Sequence, residues 1–345
     1  MPDISVIMSV YNEEKVLEDK INSIYNTSFP IGKMEVLIGS DGSNDRTEEI
    51  LRNMKKKLIN FSFYHSNLRK GKPNVLNDLV SKAKGDILIL TDANVLLNET
   101  TITGLVRHFK NPEIGLVDSR MVNTSIKKNG ISRQESAYIS MEANLKHREG
   151  LVWGTMMGPF GGCYAIRRNL FMPIPENFLV DDFFLNLNTL KNRKKSINDM
   201  QATVSEDVSN MLIEGFRRKK RIAAGCFQNL SHYAGLLWPP YTSLSFSFIS
   251  HKILRWFGPL FLILIIISNA FIFMKNEIYI YSIYLEGILI IITIIDLFFS
   301  RFNKHIALFR YVTHFFSMNL ALSLGLINFL KGIKTNVWEP TKRNQ

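Results

Sequence analysis

The chain is poor in cysteine. It has two in 345 residues, Cys163 and Cys226, far apart and without metal-ligand spacing. That excludes a disulfide-stapled fold and a cysteine-built metal centre, and two free thiols fit a reducing compartment. Repeats and low-complexity tracts are absent. No secretory leader is read before Asp3, because the first apolar run, ISVIMSV, is short and is followed by acids. The polar part of the chain is therefore expected to stay in the cytoplasm. Bases outnumber acids, 42 to 30, for a net charge of +12. No basic stripe interleaves with aromatics, so nucleic acid is not the expected partner.

What is present is unevenly spread. Residues 1–234 read as a soluble mixture and are expected to form one cytoplasmic domain. Residues 235–256 break at Pro239-Pro240 and end in an aromatic and basic cluster, the pattern of an amphipathic segment at a membrane interface. Residues 257–335 are mostly Ile, Leu and Phe, with apolar runs at 257–274, 279–299 and 312–330. The first two approach the roughly 20 residues that cross about 30 Å of hydrocarbon. The third is diluted by His314, Asn319 and Asn328. Lys252, Arg255, Arg301, Lys304 and Arg310 flank these runs, which fits a multi-pass protein of the cell membrane. Residues 336–345 form a basic tail. Three full spans would put it across the bilayer, against its own lysines.

The first 120 residues alternate strand and helix. ISVIMSV, MEVLIGS, FSFYH and DILILTD are short apolar runs of the kind covered on both faces. Between them Leu17, Ile21, Ile24 and Tyr25 recur at helical spacing. DRTEEILRNMKKK has acids early and lysines late, as a helix dipole favours, with Ser43 or Asn44 as its expected cap. KPNVLNDLVSKAKG carries proline in its first turn and ends on glycine. Such alternation predicts an α/β domain with a largely parallel sheet, whose ligands bind beyond the carboxyl ends of the strands.

Those ends carry the polar residues: VYNEE at 10–14, SDGSNDRT at 40–47 and TDANVLL at 91–97. Asp and Asn are good turn and cap residues, so one such loop means little. Three on successive strand ends point to a ligand site. Further on lie RKGKPNVLND (69–78), GPFGGCYAIRR (158–168), LVDDFFLNL (179–187) and EGFRRKKRIAAGCFQNL (214–230).

In this order the motifs resemble glycosyltransferase family 2, inverting enzymes of the GT-A nucleotide-sugar fold, over nearly all of the chain to about residue 230. The resemblance implies roles for these residues. Tyr11, Glu13 and Asp41 would lie against the nucleoside, with Lys72 near the diphosphate or base. Asp92 and Asn94 occupy the place of an Asp-x-Asp metal motif, so a divalent cation, Mg or Mn, is the implied cofactor, although the second acid is an amide here. Gly161 and Gly162 would face the acceptor. Asp182 would be the general base, with Asp181 supporting it. Arg218 and Arg221 fall where many synthases carry Gln-x-x-Arg-Trp. The cation is kept, while the Gln and Trp are absent, which tells against processive polymerisation. The tail NVWEPTKR resembles a tail found near the site in some membrane synthases.

The implied function is transfer of a sugar from a nucleotide-diphosphate donor, UDP for preference, to a hydroxyl of a membrane-associated glycan or lipid-linked acceptor, in building a cell-envelope glycan. Two alternatives stay open: a processive polysaccharide synthase, and a non-catalytic nucleotide-binding scaffold for glycan assembly. The bilayer is an expected partner. A homo-oligomer or glycan-assembly partners remain open.

Overall fold

The computed structural model describes every residue except 125, 127–130, 208–210, 273–276, 303, 305 and 338–345. Among the described residues, eight strands make one sheet: β1 Ile4–Val10, β2 Met34–Asp41, β3 Phe61–Ser66, β4 Ile87–Thr91, β5 Val95–Leu97, β6 Ile114–Thr124, β7 Cys163–Arg167 and β8 Lys195–Asp207. Their order is 3-2-1-4-7-6-8-5. The helices of this domain are α1 Leu17–Tyr25, α2 Thr47–Lys57, α3 Lys72–Val80, α4 Thr101–Arg107, α5 Ser132–Trp153, α6 Asp181–Lys191 and α7 Leu212–His232.

The strands are apolar on both sides because both sides are covered. Ile4, Val6 and Met8 of β1 pack with Leu17, Ile21 and Ile24 of α1 on one face. Ile7 packs on the other with Val75, Leu76 and Leu79 of α3 and Phe184 of α6. A strand sandwiched this way loses the polar–apolar alternation of a half-exposed strand.

The expected largely parallel sheet is present with two exceptions. β3, β2, β1 and β4 are parallel, as are β6 and β8, but β7 runs antiparallel between β4 and β6, and β5 runs antiparallel to β8. The antiparallel β7 has a consequence for the site. Its first residue, Cys163, pairs with the last residue of β4, Thr91, so the glycine loop before β7 opens at the same edge as the parallel strand ends.

Two local expectations are corrected. Neither Ser43 nor Asn44 caps α2. Ser43 Oγ accepts from Asn12 N, and Asn44 N donates to Asn12 Oδ1, so both tie the β2 loop to the β1 loop. Asp45 instead accepts from Thr47 N at the first turn. Helix α3 stops at Val80, short of the glycine at 85.

Beyond the domain, α8 Ser243–Trp256 contains a π turn at Phe248–Ile253 and is bent by 58° from α9 Gly258–Ile272. Then come α10 Glu277–Ser300 and α11 Ala307–Leu330. Among the described residues two helices, Ile278–Ser300 and Ala307–Leu330, are long and apolar enough to cross a membrane, or three if α8 and α9 are one broken span. The helices share polar contacts. Asn269 Nδ2 donates to Glu286 Oε1 at 2.5 Å, so Glu286 faces a helix neighbour. Asp296 pairs with Arg310 at 3.4 Å.

Helix α11 also lies along the domain. His314 meets Glu135 of α5 at 3.1 Å, and Phe329 stacks on Phe227 of α7 at 6.2 Å. Between them Gly325 fits against α7 so closely that a Cβ would stand 2.8 Å from Lys220 O. After α11 the chain returns to the sheet edge. Asn336 is buried and donates to Glu176 O.

Candidate active site at the strand ends

Three loops interlock at the edge. Tyr11 follows β1, and the Arg69 guanidinium lies 3.6 Å from the centre of its ring. Asn12 takes φ 52, and Glu13 N is fixed by Thr47 Oγ1 at 2.9 Å. Asp41 ends β2, is buried, and accepts Lys70 N at 2.6 Å and Gly71 N at 2.9 Å. The carboxylate thereby fixes the 69–72 loop while lone pairs remain on both oxygens. Gly71 has φ 85, and a Cβ there would collide with the Asn336 side chain. The C-terminal segment is thus seated on the loop that Asp41 holds. The rest of NVWEPTKR, from Trp338, lies outside the described residues.

Lys72, at the start of α3, is the electrostatic centre. Its Nζ is 2.9 Å from Asp92 Oδ1 and 3.2 Å from Asp181 Oδ2. Burial works against its charge, but Asp181 and Asp92 outweigh this and hold the lysine protonated well above its ordinary range. One side chain thereby joins the loop after β4 to the start of α6, two segments about 90 residues apart in sequence.

Asp181 and Asp182 open α6, and α7 sets the segment before them. Gln228 Oε1 accepts Leu179 N at 3.1 Å, Asn229 Nδ2 donates to Val180 O at 3.1 Å, and Arg221 Nη1 reaches Leu179 O at 3.5 Å. Asp182 Oδ1 accepts the amide of Phe183. Burial and the neighbouring Asp181 push the Asp182 carboxyl up to about 7, with Lys72 opposing the rise. Gly161, at φ 81, faces this acid. Burial, and then the charge of Arg218, lower Arg221 to about 10. Glu206 is the leading cause that raises Arg218.

A divalent cation needs hard oxygen donors. Among the described residues no group of three His, Cys, Asp or Glu is arranged to hold one. The loop after β4 offers Asp92, with Oδ1 on Lys72, and Asn94, whose Nδ2 donates to Glu206 Oε1 at 2.8 Å, leaving its amide oxygen as the ligand atom. One carboxylate and one amide oxygen fit a cation that shares its shell with phosphate oxygens. They do not make an all-protein cage.

The structure thus brings Tyr11, Asp41, Lys72, Asp92, Asn94, Gly161, Gly162, Asp181, Asp182 and Arg221 to one edge, with Arg218 coupled electrostatically to the acids. Sequence reasoning missed Glu206, which holds Asn94, and did not single out Asn336 within the tail motif NVWEPTKR. It also missed a buried pair under the glycine loop. Lys146 of α5 meets Asp118 of β6 at 2.8 Å. Asp118 Oδ2 accepts Phe160 N, and the Lys146 ammonium lies 3.6 Å from the centre of the Phe160 ring. The available signals were an acid inside an apolar strand and a lysine on the inner face of a helix.

A sheet of this topology, with acids, a lysine and glycines converging at the parallel strand ends, defines a GT-A fold. A mannosyltransferase from Pyrobaculum calidifontis, solved with GDP-mannose and Mn²⁺, shares it at TM-score 0.73 and 19% identity, over 96% of this chain and 89% of that one. Residues 5–174 match the family described as Glycosyl transferase family 2, so the chain carries a glycosyltransferase family 2 domain. It is 30% identical over 115 residues to the poly-beta-1,6-N-acetyl-D-glucosamine synthase of Staphylococcus epidermidis, 33% of this chain and 27% of that protein. It is 25% identical over 144 residues to the beta-monoglucosyldiacylglycerol synthase of Trichormus variabilis, 41% of this chain and 31% of that protein. The chain therefore spans about a third or less of the curated relatives it matches. One of them is named for a polysaccharide and the other for a glycolipid.

Proposed function

We propose that this chain is a membrane-attached, inverting glycosyltransferase that moves a sugar from a nucleoside-diphosphate donor to the hydroxyl of a membrane-associated glycan or lipid-linked acceptor. The observation that carries the reading is Asp182. It is a carboxyl raised to about 7 by burial and by Asp181, beside a lysine that spans to the loop after β4. A base whose pKa lies near the working pH both holds the ionised form and accepts a proton effectively.

In this mechanism Asp41 and Tyr11 hold the nucleoside, with Glu13 alongside them. A uracil N–H can donate to Asp41, which is compatible with a UDP donor. Lys72, Arg218 and Arg221 bring positive charge to the diphosphate. A divalent cation held by Asp92 and the Asn94 amide oxygen would add charge neutralisation of the leaving group. Asp182 takes the acceptor hydroxyl's proton as that oxygen attacks the anomeric carbon. Gly161, without a side chain, leaves room for the acceptor against the base.

A membrane-bound acceptor is supported by the packing of the residue next to the base. Phe183 packs edge-on against Phe248 and Trp256 of α8, each at 5.8 Å between ring centres. The same argument bears on topology. Asn336 lies on the catalytic domain and α11 touches that domain from His314 to Phe329. We therefore read α9, which by itself is a short span of about 22 Å, and α10 as the inserted hairpin, and α11 as lying along the domain at the interface. The catalytic domain and the tail then share the cytoplasmic side.

The test is nucleoside-diphosphate release by the membrane-embedded protein across a panel of UDP- and GDP-sugars, with acceptor membranes and Mg²⁺ or Mn²⁺. Release from one donor supports the reading. Silence across the panel contradicts it.

A further inference from the structure

Helix α5 belongs to the catalytic domain, yet it is the element that α8 lies against. Glu142 meets Arg255 at 2.6 Å and Lys252 at 2.5 Å. His251 bridges Glu142 at 2.9 Å and Glu149 at 2.7 Å. Thr155 Oγ1 meets Ser247 Oγ at 3.0 Å, and Trp153 packs edge-on against Phe246 at 5.7 Å. As the α5 number rises the α8 number falls, so the two helices run antiparallel. From Glu142 to Trp153 they share about 16 Å of length at ~1.5 Å per residue.

Every acid in this contact is turned inward. The outer faces carry the opposite composition. On α5, Met141, Leu145 and Val152 recur at spacings of four and seven, one stripe of a helix. Leu151 and Val152 are 72% and 68% exposed, and Trp153 beside them is exposed as well. The polar residues of the stripe are Asn144 and Arg148. On α8, Phe246 and Leu254 are exposed. A largely apolar face, broken only by Asn144, Arg148 and Ser250 and free of acids, is unusual on a water-facing surface. It suits a bilayer surface with anionic headgroups.

We propose that α5 and α8 together form a two-helix face seated on the lipid bilayer, so that the catalytic domain rests on the membrane through its own helix and not only through its C-terminal anchor. The occupant is argued from continuity: α8 leads within two residues into α9, which is apolar and uncharged. The face extends the interface expected at 235–256 to residues 141–153. Its consequence for the proposed reaction is that Asp182, whose neighbour Phe183 rests on α8, is held at the level of the headgroups. This rests on the reading of α9 and α10 as the inserted hairpin.

The experiment uses the full chain in phosphatidylcholine–phosphatidylglycerol vesicles. Single cysteines at Leu145→Cys, Val152→Cys, Ile59→Cys and Ile291→Cys each carry a bimane label. Cys163 and Cys226 are buried and stay unlabelled. Brominated lipid should quench the labels at 145, 152 and 291 and leave the label at 59, on the turn before β3, unchanged. Bromines near the headgroups should quench 145 and 152 more than bromines deep in the acyl chains, with the reverse order at 291. Labels at 145 and 152 that behave like the label at 59, while 291 is quenched, overturn the proposal and leave the anchor standing. An unquenched 291 overturns the anchor and this face with it. Labels at 145 and 152 shielded from both lipid and aqueous iodide point to a second copy of the chain, which also overturns it.

Discussion

Gly161 and Asp182 face each other so closely that a Cβ on Gly161 would stand 2.7 Å from Asp182 Oδ2. Two effects then act on Gly161→Ala. The backbone at φ 81 is costly for a side chain, about 1–3 kcal/mol. The methyl also displaces the base. We expect kcat/KM to fall on the order of a hundredfold, as for a misplaced catalytic group. Steady-state kinetics beside a thermal unfolding curve separates the two effects, and a fully active Gly161→Ala enzyme would remove the close approach from the account.

Lys72 opposes the rise of the Asp182 carboxyl, so its charge sets where the base titrates. Lys72→Met should lower activity about a hundredfold, the loss of one preorganised charge. It should also move the acidic limb of the pH–rate profile upward, because the carboxyl loses its nearby cation. A merely structural lysine would lower activity without moving the limb.

Asn336 seats the C-terminal segment on Gly71, whose amide Asp41 holds. Asn336→Ala should raise the donor KM by roughly three- to tenfold, the worth of about 1 kcal/mol for one hydrogen bond, with kcat little changed. An unchanged KM would separate this segment from donor binding.

Glu142 gathers Lys252, Arg255 and the His251 ring, and burial that opposes its ionisation is outweighed by these partners, which hold it well below the usual carboxylate range. Glu142→Gln removes the charge and leaves those partners facing an amide. Breaking a buried pair this way costs about 3–5 kcal/mol. Thermal unfolding in detergent should show the loss. The stability from this depressed carboxylate is present above its ordinary pKa and is lost as pH falls toward the folded value. The gap between wild type and variant should therefore close in acid.

How much of this was legible in the sequence depends on distance along the chain. Asp41, Asp92 and Asp182 stand at element ends, where an acid after an apolar run has a local meaning. The helices' amphipathic faces were readable for the same reason. Glu206 and the Asp118–Lys146 pair were not, because each acts on a partner brought near only by the sheet order, and Asn336 was legible only as part of the tail motif. The placement of β7 between β4 and β6 was also hidden, since a strand covered on both faces reads alike whichever way it runs. Arg69 lay within the basic motif, but nothing local placed it over Tyr11. The tail's position resisted reading because hydropathy counts apolar helices and does not tell a span from a helix lying along a domain.

The central claim is that Asp182 is the base, and the direct measurement is kcat/KM against pH for the wild type and Asp182→Asn. Burial and Asp181 raise this carboxyl from its usual 3.8 to about 7. Below that value it is protonated and cannot accept. Activity should therefore rise with pH through about 7 and level off above it. The same shift means the folded chain holds this proton more firmly than the unfolded one, so stability from the group is full below about 4 and lost as pH rises through about 7. Asp182→Asn should keep the fold, be at least as stable above pH 7, and lose activity by about a thousandfold or more. A variant that retains activity, or one with the same rising limb, would contradict the account.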